Sequence, residues 1–334
     1  MKPRVVSGMR PTGKLHLGHL VGALTNWAAL QEQYDCFYFV ADWHALTSGY
    51  SDTSQVVANA YDMAADWIAA GLDPERSTLF IQSLVPEHAE LSLLLSMIIP
   101  IPWLERVPTY KEQIDQLSDK DLSSVGFLSY PLLQTADIIM YNASFVPVGD
   151  DQVPHLELSR EIVRRFHNLY GEVFVEPQPL LTPVPRLPGL DNRKMSKSYQ
   201  NTIDLADTAD AVTKKVRMMY TDPKRIRADI PGTVEGNPVF IYHDAFNPNT
   251  AEVDDLKARY REGRVGDVEV KTKLAAAINA MLEPMRERRA QVLARPGDID
   301  DVLFEGSNRA RVQAAETMAR VRDAMKIAYL PVNR

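Results

Sequence analysis

The run Gly8-Met9-Arg10-Pro11-Thr12-Gly13-Lys14-Leu15-His16-Leu17-Gly18-His19 holds two imidazoles three residues apart among spaced glycines. That spacing sets both rings on one side of a helical turn. Glycines at 8, 13 and 18 let a ligand approach the backbone closely. Two imidazoles and the N–H groups of a helix start form a site for phosphates. No third ligand accompanies them, so a metal triad is not expected. About 175 residues downstream stands Lys194-Met195-Ser196-Lys197-Ser198. Two lysines among small hydroxyl residues can form a flap that closes over a polyphosphate and offsets charge as pyrophosphate leaves. A solvated basic loop has the same composition, and the histidine run upstream is what favours the phosphate reading. Tyr130, Gln134 and Asp137 are four and three apart, which aligns them on one helix face. No Ser-His-Asp or Cys-His arrangement is present, so the chemistry expected is alignment and charge stabilisation.

The elements that must position these residues follow from hydropathy. Arg4–Val6 reads as a buried strand that meets a turn at Ser7-Gly8. Leu20, Leu24, Trp27 and Leu30 give a helix. Cys36–Ala41 is a second strand, Ala58–Gly71 a helix stopped by Gly71, and Thr78–Gln82 a third strand. Strand–helix alternation of this kind predicts a doubly wound, Rossmann-like parallel α/β sheet whose ligand lies beyond the C-terminal strand ends. Further on, Pro131 is expected in the first turn of a helix through Tyr141. Phe145–Val148 reads as a strand, Val153–Tyr170 as a helix, Leu180–Thr182 as a last strand and Asp191–Asn201 as a polar loop. Beyond Leu205 the pattern is helical: Thr208–Tyr220, Thr250–Gly263, Val270–Ala294 and Arg309–Ala328. In the last, Ala314, Met318, Val321, Met325 and Ala328 form a core-facing stripe. Asn237–Asn249 reads as an ordered loop. The expected division is a catalytic domain over 1–204, with a helical insertion at about 84–128, and an all-helical domain over 205–334.

The chain has 334 residues, 37 basic and 44 acidic side chains, and a net charge of -7. Apolar residues make up 45%, which excludes global disorder. One cysteine, Cys36, allows no internal disulfide and fits a reducing cytoplasm. No run reaches the ~20 apolar residues of a membrane span, and no signal peptide is read at the start. The charge is uneven: residues 205–334 carry 22 basic and 20 acidic groups. A net -7 excludes indiscriminate nucleic-acid binding but leaves room for a contact on that slightly basic third, for instance at Lys214, Lys215, Arg286, Arg288 and Arg289.

The two motifs match the HIGH and KMSKS signatures of class I aminoacyl-tRNA synthetases. Ser7–Ala23, Ala41–Thr47, Pro108–Gln113, Tyr130–Tyr141 and Val146–Phe166 resemble the tryptophanyl-tRNA synthetases in particular. The resemblance implies ATP, with Mg²⁺ held by its phosphates, L-tryptophan and tRNA(Trp) as ligands. It also implies a homodimer near Leu84–Trp103, where Leu91, Leu94, Leu95, Ile98 and Ile99 are apolar, as they would be in a monomer core helix. In that reading His16, His19, Lys194, Lys197 and Lys111 are catalytic. Arg10, Gly18, Gly149, Asp151, Met195 and Ser196 bind ATP. Val6, His44, Tyr130, Gln134, Asp137, Val148 and Gln152 line the tryptophan pocket, with Asp137 accepting the indole N–H. An indole only donates and a carboxylate only accepts, so the pairing is chemically apt. Gln134 could hold the α-amino group.

Val6, Arg10 and Gln134 depart from the pattern of many family members. Tyr130-x-x-x-Gln134-x-x-Asp137 also occurs in tyrosyl-tRNA synthetases, which stand as the alternative. A non-catalytic paralogue is the third possibility; it should have lost His16, His19 or a lysine of the loop, and all are present.

Overall fold

The computed structural model describes residues 2–107, 122–149, 152–181, 187–195, 199–225 and 227–329. Among them five strands form one parallel sheet in the order β3-β2-β1-β4-β5. These are β1 (Arg4–Met9), β2 (Asp35–Val40), β3 (Ser77–Ile81), β4 (Phe145–Val148) and β5 (Gln178–Leu181). The order reverses between β1 and β4, which makes the doubly wound sheet expected from the sequence. Alternate residues of β2 feed two cores. Cys36, Tyr38 and Val40 pack on one face with Trp27 and Trp67, and Phe37 and Phe39 on the other with Phe80 and Leu91.

Between β1 and β2, α1 (Leu17–His19) runs through a π turn (Leu20–Leu24) into α2 (Thr25–Leu30). The Thr25 amide and hydroxyl both donate to the Leu20 carbonyl, which widens the turn. Between β2 and β3 lie α3 (Asp42–Gly49) and α4 (Val56–Ala69). Gly71 takes φ +106° beyond α4, the left-handed stop expected there. After β3 come α5 (Glu87–Ser96) and α6 (Ile101–Glu105), then α7 (Val125–Met140) before β4 and α8 (Val153–Tyr170) before β5.

Three expectations are corrected. α7 begins six residues ahead of Pro131, because Ser124 caps it by accepting from the Phe127 amide at 3.1 Å. Pro131 therefore sits inside the helix, at a position with no N–H to give. The loop expected over Asn237–Asn249 is largely a helix, α10 (Pro238–Phe246). Asn237 caps it, Pro238 opens it, and Phe240, Tyr242, His243 and Phe246 are buried. The last stripe is shorter than expected. Ala314, Met318 and Val321 are buried, but the helix ends at Ala324 and Ala328 is exposed.

Residues 205–334 hold helices and no strand among those described: α9 (Ala209–Arg217), α10, α11 (Thr250–Arg261), α12 (Asp267–Leu293) and α13 (Pro296–Ala324). They do not stand apart from the sheet. Leu274 and Ile278 of α12 share a core with Val5 and Tyr38. α13 lies along the edge strand β3, with the Ser307 hydroxyl accepting from the Ile81 amide at 3.2 Å. Gly306 allows the approach, since a Cβ there would fall 1.8 Å from the Leu79 carbonyl oxygen.

Candidate active site

A cavity of about 440 Å³ opens beyond the C-terminal ends of β1, β2 and β4. That is the place expected for a ligand of this fold and the size of a small-molecule site. Gly8 is needed in its wall, because a Cβ there would lie 2.3 Å from the Phe39 ring. The cavity gathers Val6, Arg10, His19, His44, Tyr130, Gln134, Asp137, Val148, Gly149 and Gln152, all singled out in the sequence. Tyr130, Gln134 and Asp137 reach it from one face of α7, as their spacing predicts. Lys111, Asp151, Ser196 and Lys197 lie outside the described residues.

His16 and His19 lie ring to ring, with centroids 3.9 Å apart. The His16 amide donates to His19 Nδ1 at 3.1 Å, which fixes one ring against the turn. The helix start is less open than expected, because the Leu17 amide already donates to the Ile203 carbonyl at 3.0 Å. The Leu205 amide likewise donates to the Leu15 carbonyl at 2.9 Å. The chain leaving the lysine loop is thus zipped onto the histidine loop.

Gly18 completes the junction. A Cβ on it would meet Met195 Sδ at 2.9 Å and the His16 ring at 3.0 Å. Met195 and the His16 ring therefore both crowd Gly18, which has no room for a side chain. Lys194 is exposed at the stem of its loop rather than on the cavity wall. The stem is held by Asn201, whose Nδ2 donates to the Lys194 carbonyl at 3.1 Å and to Asp191 Oδ1 at 2.8 Å. Asp191 is pushed down to about 2, chiefly by the Asn201 hydrogen bond, so it stays ionised.

The cavity floor ends in a buried carboxylate. Asp137 Oδ1 accepts from Gln82 Nε2 at 2.8 Å and from His88 Nδ1 at 2.7 Å. Its Oδ2 accepts from Gln82 Nε2 at 2.9 Å and from His44 Nε2 at 2.7 Å. His88 Nε2 pairs with the Tyr141 hydroxyl at 2.6 Å. Burial alone would raise the Asp137 carboxyl, but the bonds from His44 and His88 outweigh it and hold it below the ordinary value. The group is therefore an ionised acceptor. At the side, the Tyr130 hydroxyl meets His155 Nε2 at 3.0 Å.

Gln82, His88 and Tyr141 were not foreseen. Gln82 stands just past the end of β3, so the rule that ligands sit at strand ends could have flagged it. His88 lies in a stretch read for its leucines alone. Of the leucines and isoleucines singled out there, Leu91, Leu95 and Ile99 are core and Leu94 and Ile98 pack partly buried against it, whereas the neighbouring Leu93 and Met97 are exposed.

The basic cluster expected to meet a polyanion is mostly engaged within the chain. Lys215 pairs with Asp207 at 2.6 Å, and Arg286 with Glu283 at 2.7 Å. Arg288 donates to the Ala69 carbonyl at 2.7 Å, and Arg289 binds Asp66 at 2.7 Å and also Asp62. Arg288 and Arg289 hold α12 to α4. Lys214 remains exposed.

The family of class I tRNA synthetases for W and Y matches residues 1–283. A tryptophan–tRNA ligase of Thermotoga maritima is 50% identical over 327 residues, 98% of this chain and 100% of that protein. One of Treponema pallidum is 48% identical over 332 residues, covering 98% of each chain. Among solved structures, a tryptophanyl-tRNA synthetase of Campylobacter jejuni complexed with ADP and tryptophan superposes with a TM-score of 0.87 at 33% identity. It covers 97% of this chain and 99% of its own.

Proposed function

The chain belongs to the class I tRNA synthetases (W and Y) and is a tryptophan–tRNA ligase, and on that premise we propose how its residues share the work. Tryptophan sits in the cavity with its indole N–H toward Asp137. Val6 and Val148 flank the ring, and Tyr130, Gln134 and Gln152 hold the α-amino end. The substrate carboxylate attacks the α-phosphate of ATP, the α–β bridge bond breaks, and pyrophosphate leaves with its electron pair. ATP arrives with Mg²⁺ on its phosphates.

His16 and His19 face the phosphates, and Lys194, Lys197 and Lys111 offset the charge on the departing pyrophosphate. Gly18, Gly149, Met195 and Ser196 shape the nucleotide site, with Arg10 at its rim and Asp151 on the ribose. The tRNA 3′-terminal ribose hydroxyl then attacks the adenylate carbonyl, and AMP leaves. No protein nucleophile is needed, because alignment supplies much of the acceleration.

The observation that carries this reading is the junction at Gly18. There the methionine of the lysine loop and the first histidine both approach the same glycine, one residue before His19, which lines the cavity that also holds the ionised acceptor Asp137. ATP–pyrophosphate exchange tests it: exchange should require tryptophan. Exchange driven by tyrosine and not by tryptophan would overturn the assignment of the pocket.

The tRNA contact would fall on the helical region 205–334. Exposed cations of α9, Lys214 and Arg217, suit it better than the internally paired arginines of α12. A homodimer near α5 is supported by exposed Leu93 and Met97 on that helix, with Ile101 and Val125 exposed at the starts of α6 and α7. A cytoplasmic setting agrees with a buried, unpaired Cys36.

A further inference from the structure

We propose that His44 and the substrate's indole N–H compete for the same acceptor, Oδ2 of Asp137, and that His44 thereby sets how strictly the pocket demands an N–H. The proposal rests on the reading that tryptophan meets Asp137. An ionised carboxylate offers about four lone-pair directions. Gln82 takes one on each oxygen, His88 one on Oδ1 and His44 one on Oδ2. Any further donor must displace one of these.

The three donors differ in their freedom to leave. Gln82 and His88 are fully buried and lie off the cavity wall. His88 is also held from behind by Tyr141. The His44 side chain is 12% exposed, lines the cavity beside Asp137, and meets the carboxylate through Nε2 alone among the bonds found. Only His44 can swing aside without breaking the core.

The consequence concerns ligands that lack the N–H. A site whose acceptor would be left unpaired rejects such a ligand strongly. Here the acceptor keeps His44 when the ligand brings no donor, so the rejection is mild. Conversely, tryptophan gains one charge-assisted bond and gives up another, and the exchange is close to balanced. Indole recognition must then lean on cavity shape as well as on the hydrogen bond.

The test measures dissociation constants for tryptophan and for its benzothiophene isostere, in which sulfur replaces the N–H. The ratio of isostere to tryptophan cancels packing effects common to both. In the parent chain the ratio should be within about 5-fold. His44→Ala should raise it by about 10-fold or more, because the isostere then leaves Oδ2 short of a donor. His44→Asn, too short to reach, should do the same if the alanine variant folds poorly. His44→Gln, whose amide nitrogen can stand where Nε2 stands, should keep the parent ratio. A ratio that is large in the parent and no larger in His44→Ala or His44→Asn would overturn the competition yet leave the indole contact intact. A ratio near one in every variant would instead remove the indole contact with Asp137, and the competition with it.

Discussion

Tyr242 donates its hydroxyl hydrogen to the carbonyl oxygen of Pro188 at 2.9 Å, tying helix α10 to the stem of the lysine loop. Pro188 is in turn bridged to Lys194. Tyr242→Phe keeps the ring and removes the bond. It should cost about 1 kcal/mol of stability. It should also lower kcat for ATP–pyrophosphate exchange about 3- to 10-fold, through loss of alignment, with tryptophan affinity unchanged. An unchanged kcat would mean that the stem is positioned without this bond.

Gly18 separates the His16 ring from the Met195 sulfur with no room to spare. Met195 is flexible at its far end, so Gly18→Ala should slow exchange only modestly, by about 10-fold. Gly18→Val cannot be accommodated by the same small shift and should abolish exchange. Tryptophan binding, measured by calorimetry, should survive in the alanine variant.

Lys194 is exposed on the loop and touches no wall of the tryptophan cavity. Lys194→Ala should therefore lower kcat for adenylate formation about 10- to 100-fold while tryptophan affinity stays within about twofold. Lys197→Ala should behave alike. Equal losses in rate and in binding would rule out a role confined to the transition state.

Asp66 is buried on α4 under Arg289. Burial pushes its carboxyl up from 3.8 to about 6, against the opposing pull of Arg289. A carboxyl raised on folding favours the folded state while protonated, so its contribution is whole below pH 3.8 and lost as pH rises through about 6. Asp66→Asn cannot ionise. Its stability relative to the parent should rise by at most about 3 kcal/mol from pH 4 to pH 6.5. Urea unfolding across that range checks this, and a difference independent of pH would refute it.

Gly306→Ala should destabilise the chain by more than about 3 kcal/mol. The added methyl would strike the backbone of Leu79, which belongs to a central packing layer and has nowhere to move. A thermal midpoint within a few degrees of the parent would show that α13 can lift from β3 without loss.

The sheet was legible because buried parallel strands are written as short apolar runs, such as Cys36–Ala41, between helices of ordinary length. The cavity was legible because its polar residues lie at strand ends and along one face of α7. What escaped had another cause in each instance. The start of α7 is set by the Ser124 cap and not by Pro131, which the helix carries internally. Asn237 and Asn249 resemble loop residues but cap two consecutive helices. The partners of Asp137 come from the turn after β3, from α3 and from α5, and no spacing in the chain announces that they converge. Arg288 and Arg289 look like a surface patch until tertiary packing brings α4 beneath them.

The helix along β3 also sets an order of events. Residues 296–324 leave the ribosome after every strand of the sheet has been made. Until they arrive, the Ile81 amide and its neighbours form an open edge able to pair with another chain. A nascent protein halted ahead of Pro296 would carry both halves of the reaction site on a sheet still exposed at one side. Synthesis of α13 is thus also the step that makes the sheet safe from its own copies, and a chain cut ahead of it should yield aggregates rather than a trimmed enzyme.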